Sequence, residues 1–154
     1  MCATAHQRSK RTRTKATTFL EIVRLSEELQ RDFVELFKPY ELSVALYNVL
    51  RVLRGAPGGL TCGEVAGRLV QHDPDITRLL DRLEKRALIE RRRSTTDRRV
   101  VRTTITEAGL ALLAGLDGPV DEVHHRQFGE VSETRLQGML DVMNEIRAAR
   151  RTGT

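Results

Sequence analysis

Residues 61–106 carry most of the structural information in this chain and read TCGEVAGRLVQHDPDITRLLDRLEKRALIERRRSTTDRRVVRTTIT. The stretch opens with Thr61 and Glu64, which have the spacing of a capping box. In that motif each of the two side chains accepts a hydrogen bond from the backbone amide of the other residue. The spacing therefore predicts a short helix, which we expect to end at about Val70.

A second helix follows after a break of a few residues, with Asp73 as its cap and Pro74 at its first position. Its apolar residues recur at helical spacing and predict one buried face: Ile76, Leu79, Leu80 and Leu83. The other face is polar and largely basic: Asp75, Thr77, Arg78, Asp81, Arg82 and Arg86. A short helix, a tight turn and a basic helix together predict a helix-turn-helix, whose second helix enters the major groove of DNA.

A β-hairpin is predicted directly after this helix. Residues 89–93 have the composition of a strand and residues 94–99 that of a loop. Alternating residues place one face of the second strand inward: Val101, Thr103 and Ile105. The hairpin has six arginines but only two acids, Glu90 and Asp97, so its own acids cannot pair with all of them. A basic hairpin in this place predicts a wing that contacts DNA.

The rest of the chain is predicted to be helical, apart from residues 1–16, which we expect to form a disordered basic arm. A long helix capped by Thr17 or Thr18 should end at Pro39. A second helix should run from a Ser43 cap to Gly55, and two more should follow Thr106. The predicted fold is mainly α with a small β-hairpin wing.

The positive charge of the chain is concentrated in one segment. The whole chain has a formal net charge of +5. Residues 78–102 alone contain ten basic and four acidic residues, a net of +6. Such a concentration is expected of a surface that binds phosphates.

Composition argues against several other functions. Aromatic residues make up 4% of the chain and Trp is absent, which disfavours a platform for stacking single-stranded bases. We find no apolar run of membrane-spanning length and no secretory signal, so we expect a cytoplasmic protein without membrane contact. The four histidines and two cysteines form no recognisable catalytic or metal-binding set, so we expect no enzyme activity, cofactor or metal. The adjacent His124 and His125 would point about 100° apart on a helix.

The order of elements resembles the MarR (multiple-antibiotic-resistance regulator) family of winged helix-turn-helix transcriptional regulators. The most specific stretch is residues 76–113, ITRLLDRLEKRALIERRRSTTDRRVVRTTITEAGLALL, within a resemblance that covers roughly residues 19–146. Ala87 departs from the family pattern, since it stands where a glycine normally ends the recognition helix. Keeping the left-handed conformation there would cost roughly 1 kcal/mol.

The resemblance implies a homodimer held by helices at 17–40 and 107–150, with the DNA-binding domain at 41–106. Such dimers bind pseudo-palindromic promoter DNA, usually as repressors, and are often released by a small aromatic ligand or by thiol oxidation. The resemblance also implies that the groove between the DNA-binding and dimerisation parts often binds aromatic acids, so Tyr40 and Tyr47, at the start of the second helix, become ligand candidates. Core packing explains both tyrosines equally well.

We assign DNA contacts to residues of the basic helix and the wing: Pro74, Asp75, Thr77, Arg78, Arg82, Arg93, Arg98 and Arg99. Stabilising the helix N-terminus is an alternative role for Asp75. The resemblance places Arg99 in the minor groove and gives Asp97 the role of steadying the wing. The alternatives to a ligand-responsive repressor are an architectural DNA-binding protein and a redox sensor that uses Cys62, a residue we otherwise expect to be structural.

Overall fold

A computed structural model describes residues 2–69, 75–93, 97 and 99–151, with the backbone alone for 2–12. The elements in chain order are α1 (Cys2–Phe37), a 3-10 turn (Lys38–Tyr40), α2 (Val44–Arg54), α3 (Cys62–Arg68), α4 (Ile76–Lys85), β1 (Ile89–Arg93), β2 (Val101–Ile105), α5 (Glu107–Phe128) and α6 (Glu133–Arg151). They form two compact units, Met1–Val120 and Asp121–Thr154. The predicted fold class, mainly helical with a two-stranded hairpin, is confirmed.

The first helix begins earlier than expected. α1 starts at Cys2, so residues 2–16, for which we expected a disordered arm, are helical. This part of the chain contains no Gly or Pro and is rich in Ala, Arg and Lys, which are good helix formers. It has no apolar periodicity, and that is the signal on which the prediction of a start at Thr17 or Thr18 depended.

The core of the first unit forms around α2. The predicted Ser43 cap is confirmed, since Ser43 Oγ accepts a hydrogen bond from the Leu46 amide at 3.2 Å. The helix ends at Arg54, with Gly55 as its C-cap. One face of α2 is buried against α1, α3 and α4: Leu46, Tyr47, Val49, Leu50 and Leu53.

Helices α3 and α4 are the two helices of the predicted helix-turn-helix. The capping box is present, because the Thr61 hydroxyl accepts from the Glu64 amide and the Glu64 carboxylate accepts from the Thr61 amide at 2.7 Å. The four predicted apolar residues of α4, Ile76, Leu79, Leu80 and Leu83, are all buried. Asp73 and Pro74, the predicted start of the helix, lie outside the described residues.

The two strands pair antiparallel, with Ile89 opposite Ile105 and Arg91 opposite Thr103. Thr103 is also paired with Leu60 through two backbone hydrogen bonds of 2.9 and 2.7 Å. The predicted inward face of β2 is only partly buried. Thr103 is buried and Ile105 half-buried, but Val101, next to the hairpin loop, is 42% exposed because the hairpin extends beyond the core there.

The junction of α4, β1 and α5 is tightly bonded. Ala87 has φ 54°, so the left-handed conformation is kept without glycine. The Ala87 amide donates to Glu84 O and the Leu88 amide to Leu83 O, which is a Schellman motif. The Thr106 hydroxyl donates to Ala87 O at 2.7 Å and accepts from the Gly109 amide at 3.1 Å, so it caps α5 as predicted.

Two helices leave large apolar side chains exposed. On α1 these are Phe19, Leu20, Ile22, Val23, Leu25 and Val34, of which Phe19 is 65% exposed. On α6, in the second unit, they are Met139, Leu140, Val142 and Ile146. Within the described part of the chain, no helix combines the length and apolarity needed to cross a membrane. The division into dimerisation helices and a DNA-binding domain at 41–106 stays a prediction.

Candidate nucleic-acid interface

The outer face of α4 presents Thr77, Arg78 and Arg82 to solvent, opposite the buried apolar face. The Arg78 side chain is 83% exposed and its guanidinium lies 2.9 Å from a carboxylate oxygen of Asp75. Asp75 is the N-cap residue of α4 but its side chain makes no capping hydrogen bond. Its contact with Arg78 therefore orients a side chain that we assign to DNA, a role that the sequence analysis did not consider.

Asp97 and Arg99 form a local turn in the hairpin loop. Asp97 Oδ1 accepts a hydrogen bond from the Arg99 amide at 2.9 Å, and Asp97 O accepts from the Val100 amide at 3.0 Å. Because the side chain of Asp97 bonds the backbone, the Arg99 side chain is not needed to hold the turn, and Arg99 is exposed. Arg93, the last residue of β1, is also exposed, and Arg98 lies outside the described residues.

The base of the hairpin is held differently. The Arg91 Nε atom lies 2.9 Å from Glu84 Oε2, and the Nη2 atom contacts both that oxygen and Asp81. These partners come from α4, so a count of the acids within the hairpin does not include them. Asp81 and Glu84 lie about one helical turn apart near the end of α4, shortly before β1. This spacing is the feature of the sequence from which the contact with Arg91 could have been predicted.

This ion cluster perturbs its members in the expected direction. The hydrogen bond from Arg91 holds the pKa of the Glu84 carboxyl below its usual range, and burial opposes that effect only in part. The same bond raises the pKa of Arg91. Two other hairpin arginines also have partners: Arg92 pairs with Glu90 at 2.9 Å, and Arg102 donates to Gly59 O at 2.9 Å.

Comparison with known proteins agrees with this geometry. A MarR family model matches residues 40–100. The chain is also 32% identical over 126 residues to the HTH-type transcriptional regulator PecS of Dickeya dadantii, an alignment that covers 76% of this chain and 74% of PecS. The chain belongs to the MarR family.

Solved structures give the same result. A MarR transcription factor from Planctomyces limnophilus is 37% identical, with a TM-score of 0.66 over 84% of this chain and 94% of the other. CouR from Rhodococcus jostii RHA1, solved bound to p-coumaroyl-CoA, is 27% identical, with a TM-score of 0.71 over 81% of this chain and 87% of CouR. This chain is thus a DNA-binding transcriptional regulator of the MarR family, with the winged-helix fold of its relatives.

The two tyrosines proposed as ligand residues of this MarR-family chain differ in their surroundings. Tyr47 is buried and stacks on Phe37 with ring centroids 4.3 Å apart, while the Arg51 guanidinium lies 5.9 Å from its ring centroid. Burial raises the pKa of Tyr47. Tyr40 is half-buried, and its carbonyl accepts from Arg86 at 2.9 Å. Core packing accounts for the place of Tyr47, and the ligand role of both stays a prediction.

Cysteine and histidine contribute no metal centre to the described region. Cys62 is half-buried at the first position of α3, with its Sγ 3.9 Å from the Thr77 hydroxyl. His124 and His125 are exposed on α5. Among the described residues, no three His, Cys, Asp or Glu side chains are grouped so that they could hold a metal ion.

Proposed function

We propose that the chain is a homodimeric repressor that binds a pseudo-palindromic operator in double-stranded promoter DNA and is released by a small aromatic ligand. The observation that supports this proposal best is that α4 and the hairpin both expose arginines and are joined to each other by hydrogen bonds and ion pairs. α4 offers Thr77, Arg78 and Arg82, and the hairpin that it holds offers Arg93 and Arg99.

The α4 face suits the major groove. An arginine can bind the O6 and N7 atoms of guanine with two hydrogen bonds, and a threonine can bind a base edge or contact the thymine methyl group. The Asp75 carboxylate limits the positions that Arg78 adopts, so less side-chain entropy is lost when Arg78 binds a base. Pro74 lies outside the described residues, and its contact with DNA stays a prediction.

The hairpin suits the minor groove. A narrow, A·T-rich minor groove has enhanced negative potential and attracts inserted arginines. Arg98 and Arg99 follow Asp97 directly, and Asp97 holds the backbone of the turn. Arg93, at the other end of the loop, is placed to contact a phosphate.

The exposed apolar faces of α1 and α6 support the homodimer. Monomeric soluble proteins rarely expose contiguous apolar surface of this kind, and a second copy of the chain is the simplest partner to bury it. Two copies would bring two α4 helices to half-sites about 10 base pairs apart on one DNA face.

The aromatic effector rests on the two tyrosines near the start of α2 and on one relative. CouR was solved bound to p-coumaroyl-CoA. In this chain Tyr40 and Tyr47 are the ring-bearing candidates for a contact with an aromatic ligand. An effector bound beside α2 would act on the same unit that contains α4.

The test measures binding of a labelled duplex that the parent protein selects from a random-sequence library, beside an unselected duplex. A regulator should prefer the selected duplex by ~10³-fold or more, whereas an architectural protein should not. Thr77→Ala and Arg78→Ala should each relax preference at particular base positions, at a cost of ~1–3 kcal/mol. Arg51→Ala, at an exposed arginine of α2 outside both the assigned DNA contacts and the dimerisation helices, is the control.

Equal weakening on both duplexes would reassign Thr77 and Arg78 to backbone contacts. A stable 17.4 kDa monomer in light scattering at micromolar concentration would exclude the homodimer and, with it, the paired half-sites.

A further inference from the structure

Arg91 connects two elements that the proposed function uses separately. It lies in the middle of β1, opposite Thr103 of β2, and its guanidinium bonds to Asp81 and Glu84 of α4. Glu84 is the penultimate residue of α4, so the contact joins the C-terminal end of that helix to the base of the hairpin. The outer end of the hairpin, with Arg99, has no such connection to α4 among the described residues.

We propose that Arg91 is a positioning residue for DNA recognition, which fixes the hairpin relative to α4 and so sets the distance between the two groove contacts. The proposal rests on the proposed function, because it assigns α4 and the hairpin to neighbouring grooves. A small rotation at the base of a hairpin becomes a larger displacement at its end. A misplaced Arg99 would lose its groove contact even though its own side chain is unchanged.

The chemistry of the contact suits this role. Arginine presents a rigid planar fork, so a carboxylate that bonds its Nε and Nη2 atoms together fixes direction as well as distance. The Arg91 side chain is 27% exposed, less than that of Glu84 at 39% or Asp81 at 44%. Thr103, its neighbour across the sheet, is 1% exposed and is paired with Leu60 as well. Arg91 therefore lies on a strand whose partner, β2, is itself paired on both sides.

A simpler explanation is that Arg91 only neutralises two acids that would repel DNA. The two explanations differ in the sign of one effect. Glu84→Ala removes a negative charge near the interface, so charge alone predicts tighter binding. Loss of positioning predicts weaker binding and loss of the preference for A·T-rich flanks.

The experiment uses the full-length chain and the selected duplex, prepared with A·T-rich and with G·C-rich flanks. The variants are Glu84→Ala, which removes the acceptor oxygens as well as the charge, and Arg91→Lys, which keeps the charge but loses the fork. The matched control is Glu90→Ala, which removes the same charge from the neighbouring strand β1 and breaks the exposed pair with Arg92 and the hydrogen bond from Thr104, but no bond of Arg91. Each is also combined with Arg99→Ala, and circular dichroism establishes that each variant is folded.

In the parent, Arg99→Ala should weaken binding to the A·T-flanked duplex at least about tenfold. In the Glu84→Ala and Arg91→Lys backgrounds the same change should weaken it less than about twofold, because coupled sites are not additive. Both single variants should bind A·T and G·C flanks alike, while Glu90→Ala should keep the parent preference and the full effect of Arg99→Ala.

Tighter binding by Glu84→Ala with an intact flank preference would overturn the proposal in favour of charge neutralisation. A full effect of Arg99→Ala in the Arg91→Lys background would overturn it as well. A parent that ignores flank sequence, or that prefers no duplex at all, would instead refute the proposed function from which the inference starts.

Discussion

The two ends of the hairpin use the same residue type in opposite ways. At the base, the Arg91 guanidinium is bonded to two carboxylates of α4 and is mostly covered. At the loop, the Arg99 side chain is exposed, and the Arg99 backbone amide donates to Asp97. Position within a run of positive charge therefore does not tell whether an arginine is structural or available to DNA. The degree to which the guanidinium is covered does, since Arg91 is 27% exposed whereas Arg78, which also contacts a carboxylate, is 83% exposed.

The largest expected effect comes from Arg99→Ala. It should weaken operator binding by ~1–3 kcal/mol per contact and flatten the dependence on flanking sequence. The salt slope of a dimer should fall by roughly two, since each subunit loses one phosphate contact. Titration of labelled operator from about 50 to about 200 mM salt measures both effects.

The same variant should leave the free energy of unfolding within ~0.5 kcal/mol of the parent, because an exposed side chain is removed. An unchanged salt slope and flank dependence would mean that the hairpin is only structural.

At the base of the hairpin we expect a change in the free energy of unfolding as well. Arg91→Ala should lower the free energy of unfolding by about 1–2 kcal/mol, because two partly covered carboxylates lose their partner and solvent screening limits the cost. Urea denaturation measures it. Arg92→Ala is the matched control, since its pair with Glu90 is far more exposed, and it should cost less than about 0.5 kcal/mol. Equal costs for the two variants would remove the distinction between base and surface arginines.

Asp97→Ala should act like Arg99→Ala but more weakly. It loosens the turn without deleting a DNA contact, so we expect a loss of ~0.5–1 kcal/mol in operator binding, the net value of one hydrogen bond. Asp97→Asn is the control, because asparagine keeps the acceptor oxygen that receives the Arg99 amide. If asparagine is as damaging as alanine, the charge of Asp97 matters and its bond to the backbone does not.

The smallest effect is on the pH dependence of stability. The pKa of Glu84 is lowered in the folded chain by its hydrogen bond with Arg91, so its contribution is fully present above the unfolded value of about 4.3. That contribution is lost as the pH falls through the lowered folded value, where Glu84 becomes protonated. Unfolding by urea between neutral and acidic pH should show this loss.

Glu84→Gln should remove part of the acid-induced loss but not all of it. Glu64, whose pKa is lowered by its hydrogen bond with the Thr61 amide, has the same sign and remains. An identical pH profile in the Glu84→Gln variant would show that the bond to Arg91 contributes nothing to stability.

Local chemistry made much of the fold predictable. The Thr61–Glu64 capping box, the Ser43 and Thr106 caps and the apolar spacing of α4 each depend on residues close together in sequence, and all are confirmed. The start of α1 was wrong, because a basic segment without apolar periodicity reads as disordered even when its residues favour a helix.

The candidate site was less predictable because its contacts cross between elements. Counting acids within the hairpin could not reveal that α4 supplies two carboxylates to Arg91. Nor could the sequence choose between the roles of Asp75, which turns toward Arg78 instead of capping the helix. The DNA-contacting residues themselves stay predictions.

Gly109 lets the first turn of α5 lie directly against the backbone beside the hairpin. A Cβ atom on Gly109 would lie 2.3 Å from Leu88 O and 2.7 Å from Ile105 Cγ1, so no side chain fits between this turn and Leu88, the residue before β1. A displacement of the turn would therefore press directly on the strand that contains Arg91. The start of α5 thus offers the proposed effector a mechanical route to the hairpin.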